Sequence, residues 1–234
     1  MADFTGVRHV VVDIEGTTSA SAFVYDVLFP YAADRFATWL AEHPGDVDTR
    51  RIVDEVAREA GIEDLSDDEI VSVLRQWVAE DRKVTPLKDL QGLIWQQGFA
   101  DGDLVSDFFP DALDAIRRWH AAGYAISVYS SGSVLAQRNW YAHSPAGDLT
   151  EWISGHYDTA NAGPKRDPSS YRAIAAAIDV APQELLFCSD VVAELDAATD
   201  AGWQVVRVRR DGEPHAVEDS AYPEVTEMTD IRLQ

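Results

Sequence analysis

The stretch VVVDIEGTT, residues 10–18, decides the fold, because a short β-branched apolar run ends abruptly in acidic and hydroxyl side chains. Three valines in a row are typical of a strand that is buried on both faces of a parallel sheet. Three later runs have the same character: Tyr124 to Tyr129, Leu185 to Cys188 and Val205 to Val208. Amphipathic stretches separate these runs. We therefore predict an α/β fold with a parallel, doubly wound, Rossmann-like core.

The interval after the first strand carries helical signals only. Ser66 and Glu69 form an S-x-x-E capping-box pattern, and apolar residues follow it at helical spacing. Pro86 can open another helix, which Gly98 can close. Pro30 is expected to kink or divide the first helical segment. This interval is predicted to be an all-helical insert.

The α/β pattern resumes after the insert. Helices are predicted from Asp111 to Ala122, from the Asp167-Pro168 cap to Ile178, and from Val191 to Ala201. The predicted organisation is a core formed by residues 1–18 and 108–234, with residues 19–107 as a helical cap inserted after the first strand.

Composition excludes several classes of partner. With 19 basic and 41 acidic residues the net charge is −22, which argues against binding to nucleic acid or to an anionic membrane. No apolar run approaches the roughly 20 residues of a membrane span, and no signal peptide is expected. Cys188 is the only cysteine, which rules out an internal disulfide and suits a reducing compartment. We predict a cytoplasmic protein.

Asp13 and Glu15 stand two residues apart where the first strand ends. Close carboxylates repel each other, so they require a cation or a shared proton. One of them could attack phosphorus and form an aspartyl phosphate while the other exchanges protons with the leaving group and with water. The alternative is a turn acid and a helix cap before Gly16. The two residues alone do not decide between these readings.

Ser130, Ser131 and Lys165 could hold a phosphoryl group. The serines end the second predicted strand, and Gly132 allows backbone N–H groups to approach an anion. Lys165 follows Gly163-Pro164 outside any helical pattern, where its charge could neutralise a phosphate. The alternatives are a serine helix cap and a solvated loop lysine.

Asp190 closes the third predicted strand, and Glu194 follows one helical turn later. Mg²⁺ prefers oxygen ligands, often one or two carboxylates together with phosphate and water. Asp13 and Asp190 fit that requirement. The alternative is an N-capping aspartate followed by an exposed glutamate, and no role is assigned to Glu194.

The order of these motifs resembles the haloacid dehalogenase superfamily of phosphatases, although Glu15 stands where the second aspartate of the usual D-x-D pair would be. Within it, the chain is similar to the acireductone-forming enolase-phosphatases of methionine salvage over residues 7 to 210. The motifs that carry this resemblance are DIEGTT (13–18), VLFPYA (27–32), LKDLQGLIW (87–95), YSSGS (129–133), HYDTANAGPK (156–165) and SDVVAELDAA (189–198).

The resemblance implies a bifunctional, magnesium-dependent enzyme. It would enolise 2,3-diketo-5-methylthiopentyl-1-phosphate and then hydrolyse the phosphate to give acireductone. Mg²⁺ would be bound by the Asp13 side chain, the Glu15 main-chain carbonyl and Asp190. Ser130, Ser131 and Lys165 would hold the substrate, and Glu15 is one candidate for the enolising base.

Two alternatives stay open. The first is a related phosphatase that acts on another small phosphate ester, and the second is a catalytically silent, acidic interaction protein. The expected partner is a small phosphorylated diketone, and the expected state is a monomer.

Overall fold

The computed structural model describes residues 1–234 and contains a six-stranded parallel sheet in the order β4-β3-β2-β5-β6-β7. A separate parallel pair joins β1 to β8. The predicted α/β fold class is confirmed. The strands are β1 Ala2–Phe4, β2 His9–Val12, β3 Ala125–Tyr129, β4 Gly155–Tyr157, β5 Leu185–Ser189, β6 Gln204–Val208, β7 Glu224–Val225 and β8 Ile231–Leu233.

The four predicted apolar runs form β2, β3, β5 and β6, the four central strands of the sheet. Every residue of β2 is buried, because this strand pairs with β3 on one side and with β5 on the other. The edge strands β4 and β7 have only three and two residues. Neither contains an apolar run, so the sequence pattern did not predict them.

The chain forms nine α-helices, and none of them is both long and apolar enough to cross a membrane. Their bounds are α1 Ser21–Phe23, α2 Phe29–Glu42, α3 Val47–Ala60, α4 Asp67–Ala79, α5 Thr85–Ala100, α6 Pro110–Ala121, α7 Val134–Ala142, α8 Pro168–Ile178 and α9 Val192–Asp200. One π-helical turn, Val24–Leu28, precedes α2.

Two compact units make up the chain. Residues 1–23 and 105–234 form the unit that contains both sheets, called here the α/β unit. Its core includes buried side chains from β2, β3 and β5 together with Tyr171 and Ile174 of α8 and Leu195 of α9. Residues 24–104 form the helical unit, which has its own core of buried residues from α2 to α5.

The predicted helix boundaries of the helical unit are confirmed at three points, the first of which is Pro86 in the first turn of α5. Ser66 and Glu69 form a reciprocal capping box at the start of α4. Pro30 lies in the first turn of α2, directly after the π-helical turn, and so divides the first helical segment.

The prediction that Gly98 ends a helix is wrong. Helix α5 continues to Ala100, and Gly98 lies buried within its last turn. The phenol ring of Tyr31 occupies the space that a Cβ atom at this position would fill. Gly98 is therefore a packing residue, which allows a tyrosine to approach the helix backbone closely.

Candidate active site

The site lies at the carboxyl ends of the central strands, the edge where open parallel sheets bind ligands. The β2–β5 register pairs Val12 with Cys188, so Asp13 emerges beside Ser189. The Asp13 N–H extends the ladder by one bond, 3.0 Å to the Cys188 carbonyl. The β2–β3 register likewise brings the residues that follow Tyr129 to the same edge.

Lys165 reaches Asp13 from the loop before α8. Its Nζ lies 2.7 Å from Asp13 Oδ1 and 2.7 Å from Glu194 Oε2, and its side chain is only 9 % exposed. Two buried tyrosines hold the loop, since Tyr129 donates to the Gly163 carbonyl and Tyr171 to the Lys165 carbonyl, each at 2.8 Å. The alternative of a solvated lysine is wrong.

The two carboxylates keep Lys165 charged. Burial alone would lower the pKa of this lysine, because desolvation disfavours the ammonium form. The negative charges of Asp13 and Glu194 and the hydrogen bonds to them outweigh burial, and they hold the pKa of Lys165 above its usual range. Lys165 is therefore a permanent cation at the strand ends.

Asp190 follows β5 directly and is 2 % exposed. The Thr17 hydroxyl accepts a hydrogen bond from the Asp190 N–H at 3.0 Å and donates one to Asp190 Oδ1 at 3.3 Å. The second oxygen, Oδ2, is buried and has no hydrogen-bond partner. Burial, then the charge of Asp13, raises the pKa of Asp190 to about 7. Val191, not Asp190, occupies the N-cap of α9, so the capping alternative is wrong.

Gly16 leaves room beside that free oxygen. Its φ is +73°, and a Cβ atom there would collide with Asp190 Oδ2. Any side chain would both strain the turn and fill the space next to this carboxylate oxygen. The glycine thus allows the Asp190 carboxylate to pack against the backbone of the turn that follows β2.

Glu194 is buried rather than exposed, in contrast to the alternative reading of the sequence. The Ser189 hydroxyl lies 3.0 Å from Glu194 Oε2 and 3.5 Å from Asp13 Oδ2. Burial raises the pKa of Glu194, although the charge of Lys165 opposes this rise. Glu194 therefore fixes Lys165 from the side opposite Asp13.

The two serines after β3 differ in their surroundings. Ser130 is buried, its N–H donates to the Tyr157 carbonyl at 3.1 Å, and its hydroxyl accepts from the Gly132 N–H at 3.2 Å. Ser131 is exposed. The N-cap of α7 is Ser133, so neither Ser130 nor Ser131 serves as the helix cap of the alternative reading.

Glu15 is half-buried and lies in the turn between β2 and α1, where the Gly16 N–H donates to the Ser19 carbonyl at 2.8 Å. This turn places Glu15 two residues beyond Asp13, in the same segment as Thr17. The main chain of the turn therefore lies beside both carboxylates, Asp13 and Asp190.

The charges at this edge fit a divalent cation. Three buried acids, Asp13, Asp190 and Glu194, share this edge with one buried ammonium group, which contacts Asp13 and Glu194, and the raised pKa of Asp190 reflects this excess of acids. An unpaired buried carboxylate oxygen such as Asp190 Oδ2 is costly unless a cation binds it. No point gathers three His, Cys, Asp or Glu side chains, so a bound Mg²⁺ would also need main-chain, water or substrate oxygens.

The sequence pattern does not reveal the roles of Thr17 and Glu194 in the site. The hydrogen bonds between Thr17 and Asp190 join residues 173 positions apart. Glu194 had no role assigned, although its position one helical turn after Asp190 was a usable signal. Neither the length nor the direction of such contacts can be obtained from local pattern.

Comparison with known proteins identifies the family of the chain. Residues 7–202 match the family model of the haloacid dehalogenase-like hydrolases. The enolase-phosphatase E1 of Streptomyces avermitilis is 52% identical over 215 residues, which cover 92% of this chain and 90% of that protein. The protein of the same name from Frankia alni is 53% identical over 205 residues, covering 88% of this chain and 87% of that one. The crystal structure of the UTR4 protein from Saccharomyces cerevisiae superposes with a TM-score of 0.80 at 29% identity, covering 94% of this chain and 98% of that one.

Proposed function

The chain belongs to the haloacid dehalogenase-like hydrolases, and within them to the enolase-phosphatases, and from this premise we propose how its residues divide the work. It is an enolase-phosphatase of methionine salvage, which enolises 2,3-diketo-5-methylthiopentyl-1-phosphate and hydrolyses the phosphate to give acireductone. As a phosphatase of this family it works through an aspartyl-phosphate intermediate.

Asp13 is the proposed nucleophile. Lys165 and the Ile14 N–H, which donates at 2.8 Å, both hold Oδ1, whereas Oδ2 has only the 3.5 Å contact with Ser189. The carboxylate is thus oriented by one oxygen and keeps the other available. Attack of Asp13 on phosphorus forms the aspartyl phosphate and breaks the bond to the enol oxygen.

Glu15 is the proposed acid and base. It would protonate the departing enol oxygen and then take a proton from the water that attacks the aspartyl phosphate, which regenerates Asp13 and releases phosphate. Glu15 is also the candidate base that removes the enolising proton. One residue can serve both steps because each returns it to the protonation state that the next one needs.

Ser130, Ser131 and Lys165 are the proposed substrate contacts. A permanent ammonium group in a buried site offsets the negative charge of a phosphoryl group more strongly than it could in water. The hydroxyl groups of Ser130 and Ser131 would donate to the phosphate oxygens. The observation that carries the proposal is the Lys165 bridge, 2.7 Å from the nucleophile and 2.7 Å from Glu194.

Phosphatases of this family are generally magnesium-dependent. We propose that the Asp13 side chain, the Glu15 main-chain carbonyl and Asp190 Oδ2 would hold Mg²⁺. When bound, the ion supplies Lewis-acid stabilisation of negative charge on the enediolate and on the phosphoryl oxygens. The cap role of the helical unit, a cytoplasmic location, a monomeric state and the lack of nucleic-acid or membrane partners stay predictions.

The test uses Asp13→Asn, which keeps the size of the side chain and one carbonyl oxygen but removes the nucleophile. Phosphate release from the diketone phosphate should vanish, while enolisation should survive in part and accumulate a phosphorylated enol that absorbs in the ultraviolet. Asp3→Asn, the same change at an exposed site, is the matched control and should retain both steps. Undiminished phosphate release in Asp13→Asn would defeat the nucleophile assignment.

Substrate choice is tested in the same assay. The wild-type enzyme should release phosphate from the diketone phosphate far faster than from simple sugar phosphates. Faster release from a sugar phosphate would favour the phosphatase of another small ester, and no release from any substrate would favour the silent interaction protein.

A further inference from the structure

Arg210 is a buried arginine, 6 % exposed, that lies two residues beyond the end of β6. All three nitrogens of its guanidinium group donate hydrogen bonds. Nε and Nη2 both donate to the Thr17 carbonyl, at 3.2 and 3.0 Å, and Nη1 donates to Asp111 Oδ1 at 2.8 Å and to the Thr226 carbonyl at 3.0 Å. The ring of Phe109 lies 4.3 Å from the guanidinium carbon.

Thr17 connects this arginine to Asp190. Its carbonyl oxygen accepts hydrogen bonds from two N–H groups of one rigid guanidinium, which converge on it from a fixed fork. Its hydroxyl is bonded to both the backbone N–H and the Oδ1 of Asp190. Thr17 is fully buried, so no water competes for these groups. The orientation of the Asp190 carboxylate thus depends on a threonine whose main chain Arg210 holds in place.

The consequence falls on one oxygen. Because Oδ1 of Asp190 is engaged by Thr17, Oδ2 is the oxygen left without a partner, at the place where a Cβ atom of residue 16 would otherwise lie. If the turn shifted, Asp190 could rotate and Oδ2 would lose this position. A fork of two N–H groups resists that shift, whereas a single-point ammonium group would not.

We propose that Arg210 is a positioning residue for cation binding: acting through Thr17, it holds the Asp190 carboxylate with Oδ2 presented to a divalent ion. The inference rests on the proposed function, which assigns Asp190 to the metal. It adds a residue outside the acid–serine–lysine–acid set, in a segment that the sequence analysis did not connect to the site.

The test measures binding of Mn²⁺ alone to the substrate-free enzyme, with free Mn²⁺ followed by electron paramagnetic resonance. Arg210→Lys keeps the charge and removes the fork, and it should raise the Kd for Mn²⁺ by about 10- to 100-fold, as expected when a partner of a metal ligand is lost. Arg209→Lys is the matched control: this neighbour pairs with Asp211 and Glu224 near the surface, so its Kd should stay within about twofold.

Thr17 variants test the route. Thr17→Val removes the hydroxyl and should weaken Mn²⁺ binding, whereas Thr17→Ser should restore it. Each single variant raises the Kd for Mn²⁺ by some factor. If Arg210 acts through Thr17, the factor for the double variant Thr17→Val/Arg210→Lys should be well below the product of the two single factors. Full additivity would overturn the proposed route.

A purely structural role makes a different forecast. It predicts a lower melting temperature for Arg210→Lys with an unchanged Kd for Mn²⁺, and that result would overturn the inference while leaving the metal site intact. If Arg210→Lys does not fold, Arg210→Gln, which keeps two N–H donors, takes its place under the same criteria. Absence of Mn²⁺ binding in the wild-type enzyme would overturn the proposed metal site itself.

Discussion

The two ends of the same central strands handle buried polar groups in opposite ways. At the amino end, His9 of β2 and Ser127 of β3 form one neutral pair, with 2.8 Å between the ring Nε2 and the hydroxyl oxygen. Burial lowers the pKa of His9 to about 4, so the pair is uncharged at neutral pH. At the carboxyl end, three acids and a lysine remain buried with an excess of negative charge.

This difference in buried charge indicates which edge of the sheet carries the active site, and it does so better than cavity size. A cavity of about 770 Å³ borders His9 and Ser127, yet the groups there satisfy each other and have no need of a ligand. The carboxyl end has a carboxylate oxygen without a partner. Where a fold retains unbalanced buried charge, a ligand that balances it is the expected reason.

Removal of divalent metal should have the largest effect on turnover. It should act through the acids at the carboxyl end of the strands and not through the His9–Ser127 pair. Excess chelator should abolish turnover, and Mg²⁺ should restore it. Magnesium at about 100 times its Kd should also stabilise the wild-type enzyme by about 2.7 kcal/mol, measured as a rise in melting temperature. The Asp190→Asn variant should lose this rise and Ser127→Ala should keep it. Full turnover in excess chelator would refute the metal requirement.

Lys165→Met should be the next most damaging change. Loss of the ammonium group removes electrostatic support for the transition state, so kcat should fall by about 10² to 10³. The lysine is buried between two acids, and removal of one partner from such a pair typically costs about 3–5 kcal/mol of unfolding free energy. Stopped assays and urea melts measure the two effects. Near-normal turnover would return Lys165 to a structural role.

Ser127→Ala should reverse that pattern at the amino end. The change leaves the buried His9 ring nitrogen without its partner, which should cost about 1–3 kcal/mol of unfolding free energy. Turnover should stay within about twofold of wild type, because the Ser127 hydroxyl pairs with His9 at the amino end of β2. Urea melts give the first quantity and steady-state assays the second. A large fall in kcat at unchanged stability would show that the two ends are coupled.

Mild acid should have the smallest effect. An unfolded histidine titrates near 6.5, whereas His9 in the folded protein titrates near 4. The unfolded state therefore binds more protons at this histidine between these values, and the His9 contribution to stability falls as the pH drops below 6.5 until the loss levels off near 4. At pH 5.5, one unit below the ordinary histidine pKa, the lowered pKa of His9 should reduce the free energy of unfolding by about 1 kcal/mol.

His9→Gln supplies the comparison for this pH dependence. Glutamine can still meet Ser127 but does not titrate, so between pH 7 and pH 5.5 the variant should keep about 1 kcal/mol more of its unfolding free energy than wild type does. Two other groups contribute slopes of their own: His156, whose pKa is also lowered to about 4 by burial, adds to the loss, whereas Asp190, whose pKa is raised to about 7, opposes it. An unchanged slope in His9→Gln would show that the pair does not govern acid stability.

The sequence predicted what local pattern encodes. Long β-branched runs predicted the four central strands, and the Ser66–Glu69 pair predicted the start of α4. Local pattern did not predict structure that depends on tertiary contacts. Gly98 lies inside a helix, where Tyr31 packs against it. The strands β4 and β7 are short and pair with longer strands. Their sequences carry no period of their own.

The candidate site likewise contains residues that local pattern predicts and contacts that it does not. Asp13, Lys165 and Asp190 are predictable because each follows a recognisable strand end or loop. The burial of Lys165 depends on Glu194, and the orientation of Asp190 depends on Thr17, residues that contact them through the folded sheet. A single sequence without its fold cannot rank such contacts, because their spacing along the chain is arbitrary.

The central place of β2 has a consequence for synthesis. Its four fully buried residues pair with β5, which begins 173 positions after β2 ends. At about 5–20 residues per second, the ribosome adds β5 roughly 10 to 35 s after β2. During that interval the apolar strand lacks one of its two neighbours, and Asp13 lacks the residues that surround it in the finished enzyme. A growing chain is therefore exposed to premature association and has no activity, and chaperones are expected to bind β2 during this interval.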